Sequence, residues 1–302
     1  MIVTVTGGTG FLGSAVVRRL VERGDTVRVV VRPTSLTRHL PAGITTCSAD
    51  INDANQMRDA LAGSDAVVHA AAVVSNWGHR WPEFERVNID APAVVCRAAT
   101  DAGVKRIVYV SSFLALGPSG ETDAVDENTI QRDRHFHNHY ERSKAMGAER
   151  VRRLAENGLP VVTVFPGMLY GPGPDTEGNY VGRILADYVA GRVPGIIGDG
   201  RQRWSFAHVD DVAAGIALAI DRAQPGSRYV LGGENVSLND LFALLGAITG
   251  VAPPTRHVGS FAAWLAGLWF EIGGWFTGRA PALTRDAAAI TMHHWACDSS
   301  AA

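Results

Sequence analysis

The sequence predicts an α/β protein: a Rossmann-type, doubly wound parallel sheet with a smaller, mostly helical C-terminal lobe. Three observations predict it. The chain opens on a short apolar strand that runs into a glycine-rich turn and then an amphipathic helical pattern. Short β-branched, apolar runs then alternate with helical patterns, as a parallel sheet covered by helices on both faces requires. A Pro/Gly cluster at 166–174 ends that alternation, and a less regular stretch follows. The expected division is 1–170 as the dinucleotide-binding unit, with 202–231 returning to it, and 171–302 as mostly a substrate-binding lobe. A chain of 302 residues with 46% hydrophobic content can fill one large core and a smaller attached one.

The strand at 1–5 leads into Thr6-Gly7-Gly8-Thr9-Gly10-Phe11-Leu12-Gly13. Glycines 8, 10 and 13 fit the spacing G-x-G-x-x-G; glycines 7, 10 and 13 fit G-x-x-G-x-x-G. Either spacing allows a sharp turn, close approach of a pyrophosphate to the backbone amides, and tight packing of helix on strand. The helix N-terminus adds unpaired N–H groups and a positive dipole end. Gly7, Gly10, Phe11, Leu12 and Gly13 are therefore candidate dinucleotide contacts. The bland alternative is a turn with no ligand.

A second strand at 26–31 ends in Arg32. At this place in a dinucleotide fold an acid binds the ribose 2′-hydroxyl, whereas an arginine accommodates a 2′-phosphate. Residues 27–40 contain no acid but do contain Arg28, Arg32 and Arg38. NADP is the expected cofactor and NAD the alternative. The third strand, 44–49, precedes Asp50-Ile51, a polar–apolar pair suited to an adenine edge and face. A helix at 53–61 and a strand at 65–69 follow. The strand opens into Ala70-Ala71-Ala72, small enough for a ligand to approach the backbone. A long helix is expected over 83–100, carrying Asn88. The fifth strand, 106–111, ends in Ser111-Ser112. Right-handed crossovers bring all these strand ends to one edge, where the ligand crevice belongs.

Tyr140 and Lys144 lie four apart on a helical stretch, hence one turn apart on one face. Two hydroxyls at a strand end with a Tyr/Lys pair are the parts of a proton-transfer site. A phenol titrates near pH 10, and a neighbouring ammonium is expected to lower that value. Taken alone, Y-x-x-x-K is a common solvated helix face; its weight comes from its company. A sixth strand at 161–165 runs into Pro166-Gly167. Helices are expected at 178–190 and 209–221, a strand at 229–231, and a helix at 237–248 capped by Ser237.

Residues 261–276 are apolar nearly all round. A membrane-spanning helix needs about 20 apolar residues, and Glu271 and Gly273-Gly274 argue against one. A lid over the substrate pocket is the first reading; a membrane-surface contact and a homodimer interface are the others. His135, His137 and His139 alternate but have no acidic or Cys partner at ligand spacing, so an exposed polar loop is expected and no metal; His293-His294 read the same way. A net charge of −2 points away from nucleic acid. Cys47, Cys96 and Cys297 form neither a disulfide framework nor a zinc motif. The first strand stands where a leader would, and a cytoplasmic location, peripheral at a membrane if 261–276 makes that contact, is expected.

These motifs, with His208-Val209-Asp210-Asp211-Val212-Ala213, occur in an order that resembles the extended short-chain dehydrogenase/reductase superfamily, in its NAD-dependent epimerase/dehydratase branch. Val27-Arg28-Val29-Val30-Val31-Arg32-Pro33 and Val110-Ser111-Ser112-Phe113-Leu114-Ala115-Leu116-Gly117 bring it nearest to dihydroflavonol reductase-like and sterol dehydrogenase-like members and hopanoid-associated sugar epimerases. The resemblance implies roles. Tyr140 is the general acid/base, and Lys144 binds the nicotinamide ribose and lowers the Tyr140 pKa. Ser112, with Ser111 as the fallback, orients the substrate oxygen. Asn88 supports the site, and Pro166-Gly167 line the nicotinamide. Nucleotide-sugar members carry an arginine where this chain has Trp204, another before the proline where it has Phe165, and a later one with no match in 257–278. An apolar small-molecule substrate, sterol-, flavonoid- or polyketide-like, is therefore expected for an NAD(P)-dependent oxidoreductase. A sugar epimerase or dehydratase that recycles bound NAD is the runner-up, and a dinucleotide-sensing protein without chemistry is the third reading. Relatives continue with a Lys/Arg-rich helix, so a truncated C-terminus is expected.

Overall fold

Residues 1–75, 77–78, 80–129 and 135–302 are described by the structure, a computed structural model. β1 (Ile2–Thr6) feeds α1 (Phe11–Glu22); β2 (Thr26–Val31), β3 (Thr45–Ser48) and α2 (Ala54–Leu61) follow. After β4 (Ala66–His69) comes a helix in three pieces: α3 (Trp81–Phe84), a π-helical turn at Glu85–Asp90, and α4 (Ala91–Asp101). β5 (Arg106–Val110), α5 (His139–Glu156), β6 (Val161–Pro166), β7 (Met168–Tyr170), α6 (Tyr180–Val189), β8 (Ile196–Ile197) and β9 (Arg203–His208) come next. The chain closes with α7 (Val209–Arg222), β10 (Arg228–Leu231), β11 (Glu234–Ser237), α8 (Leu238–Thr249), β12 (His257–Val258), α9 (Ser260–Thr277) and α10 (Arg285–Thr291).

Seven strands form one sheet in the order β3-β2-β1-β4-β5-β6-β10, every neighbouring pair parallel. The order reverses between β1 and β4, which opens a crevice at the C-terminal edge there. Val3, Val5, Val27 and Val29 point to one face and pack with Val16, Leu20 and Ile216 of α1 and α7. Val67, Ile107 and Tyr109 point to the other and pack with Met57, Val95 and Val151 of α2, α4 and α5. Both faces are covered, which explains strands that read as apolar runs rather than alternations. α7 and β10 thus belong to the sheet unit, and a smaller sheet, β11-β9-β7, leads away from it.

The helix expected over 83–100 differs in form. Pro92 has no N–H, so the Asn88 carbonyl lacks its ordinary helical donor. The chain widens into the π turn there, a form that concentrates at functional sites. α5 presses on this carbonyl: a Cβ on Gly147 would lie 2.2 Å from the Asn88 oxygen.

A third apolar cluster lies beyond the strand ends. It joins Phe113, Leu114 and Leu116 to Phe165, Trp204, Ile290 and Trp295. Trp295 is fully buried and its indole donates to the Ile290 carbonyl at 2.9 Å. Burying a large apolar side chain is worth about 1.5–3 kcal/mol, enough to hold 290–298 against β9 and the 119–125 stretch, where bridges Trp204–Trp295, Ser119–His294 and Val125–Cys297 form.

Candidate active site

The parallel sheet delivers the predicted residues to one edge. Gly7 adopts φ +72°, and a Cβ there would lie 2.5 Å from the Ala71 nitrogen. A Cβ on Gly13 would lie 2.0 Å from the Gly7 carbonyl oxygen. The working spacing is therefore 7, 10 and 13; Gly8 instead packs on the Val29 side chain. α1 begins after Gly10 with no side-chain cap and no acid in its first turn, so its amides are left for an anion. Phe11 turns its ring into the core, under Gly173 of the 171–178 loop, and Leu12 is half-buried. This cradle, too tight for side chains and rich in free amides, fits the pyrophosphate of a dinucleotide.

Arg32 ends β2, exposed, and among the described residues its guanidinium has no ion-pair partner. Arg28 is not its equivalent, because it donates to the Ala60 and Ala62 carbonyls at 2.9 and 3.1 Å and so closes the end of α2. Asp50 caps the turn after β3, accepting from the Asn52 amide at 2.9 Å, with Ile51 half-buried beside it. Ala70, Ala71 and Ala72 leave β4 next to Gly7. Gly167 follows Pro166 at the end of β6, with its N–H on the Leu231 carbonyl at 3.0 Å; a Cβ there would lie 2.6 Å from the Ser205 oxygen.

Asn88 departs from the expected cofactor contact. Its amide is spent on protein: Oδ1 accepts from the Val73 N–H at 2.9 Å, and Nδ2 donates to the Val73 carbonyl at 3.0 Å and to Ser143 Oγ at 2.9 Å. It ties the loop after β4 to α5. Ser143, which donates in turn to the Tyr140 carbonyl at 2.8 Å, was not singled out by the sequence.

Ser111 and Ser112 are buried at the end of β5. The Ser112 hydroxyl accepts from the Leu114 N–H at 3.3 Å and is hydrogen-bonded to Tyr140. Lys144 reaches across and donates to the Val110 carbonyl at 3.1 Å. Its ammonium lies 5.6 Å from the centre of the Tyr109 ring. His69, buried at the end of β4, stacks on the other neighbour of this group, Tyr109, at 6.0 Å, and its Nδ1 shares a 2.7 Å hydrogen bond with Thr6 Oγ1. Burial holds the imidazole down at about 3, with the Lys144 charge adding to it, so His69 is neutral.

The electrostatics correct one expectation. A phenol beside an ammonium should fall below its ordinary value, yet Tyr140 is pushed up to about 12 by burial, with the Ser112 hydrogen bond pulling the other way. Burial likewise brings Lys144 down to about 7. Tyr140 packs on the apolar cluster of Phe113 and Trp204, whereas Lys144 is buried against the Val110 carbonyl and the Tyr109 ring, so the charged form of each is desolvated. At neutral pH the pair holds a protonated phenol, the form that can donate a proton.

The histidines also differ from an exposed polar loop. His137 is mostly buried: its N–H and Nδ1 lie 2.8 and 2.9 Å from Glu141 Oε2, and its ring centre is 4.0 Å from that of His293. The buried Glu141 draws it in, a partner four residues on that could have been read from helical spacing. His135 and His139 are exposed. Among the described residues no group of three His, Cys, Asp or Glu side chains comes together to hold a metal. A cavity of about 530 Å³ is lined by His135, His137, His139, Arg142 and Asp286, beside the Ser112–Tyr140 pair rather than over it. Trp295 is the chief residue the sequence reading missed; an indole inside a short apolar run next to His294 was its signal.

A dinucleotide cradle and a Ser–Tyr–Lys set on one edge of a doubly wound sheet define a nicotinamide-dependent enzyme of the extended short-chain dehydrogenase/reductase type. The chain belongs to the NAD dependent epimerase/dehydratase family, whose pattern matches residues 3–232. It is 33% identical over 257 residues to sterol demethylase protein B of Methylococcus capsulatus, covering 84% of this chain and 76% of that one. It is 30% identical over 256 residues to the 4-hydroxy-2-methyl-3-oxo-4-farnesyl-3,4-dihydroquinoline-1-oxide ketoreductase of Stigmatella aurantiaca, covering 84% and 75%. The crystal structure of gox2253 superposes with a TM-score of 0.83 at 33% identity, covering 99% of this chain and 90% of that one. The protein is an NAD(P)-dependent oxidoreductase.

Proposed function

We propose that the protein reduces a ketone on a largely apolar small molecule, or oxidises the corresponding alcohol, with NADP as the preferred cofactor. The observation that carries this reading is Trp204. Nucleotide-sugar relatives are expected to place an arginine at this position. Here the indole is buried with Phe113 and Trp295, ring centres 6.3 Å away in each case. An uncharged indole packed among apolar rings offers a diphosphate no countercharge where an arginine would, and favours an apolar substrate nearby. The sterol and farnesyl-quinoline names of the two relatives support the same substrate class. A bound nicotinamide supplies or accepts the hydride. The chain's own groups do the rest: the 7–13 loop holds the dinucleotide, Arg32 favours a 2′-phosphate, Ser112 orients the substrate oxygen, Tyr140 gives it a proton, and Lys144 holds the ribose.

The test is stoichiometry. Purified protein is offered NADPH and a panel of sterol, flavonoid and polyketide ketones, with UDP- and dTDP-sugars as the contrast. Net loss of NADPH with an apolar ketone is expected. A sugar converted with no net change in the cofactor would replace this reading with an epimerase.

A further inference from the structure

We propose that α9 seats its outer face on an anionic lipid surface, from which the enzyme draws its substrate. The helix is built inside out. Its packed face is Ala263, Gly267, Glu271 and Gly274, spaced i, i+4, i+8 and i+11. Small residues let it lie close on its neighbours: a Cβ on Gly267 would lie 2.7 Å from the Arg285 nitrogen, and one on Gly274 would lie 3.1 Å from the Trp77 ring. Its large side chains turn outward. Phe261, Trp269, Trp275 and Phe276 are 72%, 76%, 80% and 88% exposed, with Leu265 and Ile272 between them. At 1.5 Å per residue this apolar stripe, 261–276, runs about 24 Å. No helix of the structure's described residues is long and apolar enough to cross a membrane, so the stripe would lie along a surface rather than through it.

Charge points to the occupant. Between 251 and 285 the only acid is Glu271. It faces inward, accepting from the Arg285 N–H and Nε at 2.8 Å each. Exposed Arg256 and Arg279 flank the two ends of the helix. Aromatic side chains along the helix and cations beyond both its ends, with no exposed acid between them, are the pattern of a helix lying in the interface of an anionic bilayer.

The cavity beside the helix argues for lipid over a second copy of the chain. Phe261 and Trp264 line a space of about 410 Å³ with Ala288, Ala289, Met292 and His293. His293 touches His137, three residues before Tyr140 in the chain. A second copy on this face would cover the mouth of that space; a bilayer would feed it. This choice rests on the apolar-substrate reading, whereas the lipid contact itself rests on the helix.

The whole 302-residue chain is sedimented with vesicles of phosphatidylcholine alone and of phosphatidylcholine with phosphatidylglycerol. The comparison is a Trp269→Ser/Trp275→Ser/Phe276→Ser variant and, separately, Arg279→Glu. Thermal midpoint and NADPH affinity verify that each variant is folded. Binding is expected to be stronger to the anionic vesicles, weaker for Arg279→Glu, and about ten-fold or more weaker for the triple variant. No binding, or equal binding by the triple variant, overturns the proposal. So does a lipid-free dimer that the triple variant dissociates while vesicles are left unbound. The assay contains no substrate, so failure of the apolar-ketone reading leaves its outcome untouched.

Discussion

At the scale of single residues, the site is governed by desolvation. Lys144 and Tyr140 are both buried, and the neutral form of each gains. For Lys144 this has a consequence for stability. Between about 7 and the ordinary 10.5, the unfolded chain holds a proton that the folded chain does not. Stability contributed by this site therefore rises as pH rises through that window, and the cost is felt below it. Lys144→Met should abolish turnover yet raise the thermal midpoint, by roughly 2–4 °C near pH 6, with the gain fading toward pH 10. A midpoint that falls at pH 6 would show that the 3.1 Å bond to Val110 outweighs the burial of the charge. His69 works in a lower window. Its proton is refused in the folded state from 6.5 down to about 3, so stability should drop as pH falls across that range. His69→Gln should flatten that part of a stability–pH profile measured by urea unfolding.

At the scale of elements, close backbone approach decides more than side-chain contact does. Gly13 sits against the Gly7 carbonyl, and no rotamer can relieve a Cβ placed 2.0 Å from it. Gly13→Ala should lose about 1–3 kcal/mol of stability and most NADPH affinity, read by chemical unfolding and fluorescence titration. Glu271→Ala should loosen α9 from α10 by roughly 1–3 kcal/mol, discounted because Arg285 is half-exposed. Limited proteolysis between 277 and 285 would report it. The glycine loop and the strand-end serines were legible in the sequence because each carries a local signature: a strand, a spacing and a helix in register. The π turn was not, since it depends on Pro92 withholding a hydrogen bond while α5 presses from outside. The orientation of α9 was legible only in part. Its hydrophobicity is visible all round, but which face packs is set by the small residues that fit against Arg285 and Trp77, a tertiary fact.

At the scale of the whole molecule, the parallel sheet turns sequence order into a site. Strand ends far apart in the chain converge on one edge, so the Rossmann-type architecture and the position of Ser112, Tyr140 and Lys144 could be read before any coordinate was known. The return of 290–298 to cover that edge could not. Trp295 joins Phe113 and Trp204 only because β9 leads away from the main sheet and brings Trp204 to meet it. Cofactor choice belongs to this scale as well, because it depends on what the end of β2 presents to the crevice. NADPH should bind more tightly than NADH, and Arg32→Asp should erase or reverse the difference; tighter binding of NADH by the unaltered protein would refute the assignment to NADP.

The most direct measurement is turnover by Tyr140→Phe on an accepted ketone, taken with its affinity for NADPH. Phenylalanine keeps the ring on the apolar cluster and removes only the hydroxyl that Ser112 holds. Turnover should fall by about 10²–10⁴-fold, the range of a positioned acid or base, while NADPH affinity stays nearly unchanged. A variant that keeps most of its activity would place the proton on another group and contradict the assignment of Tyr140.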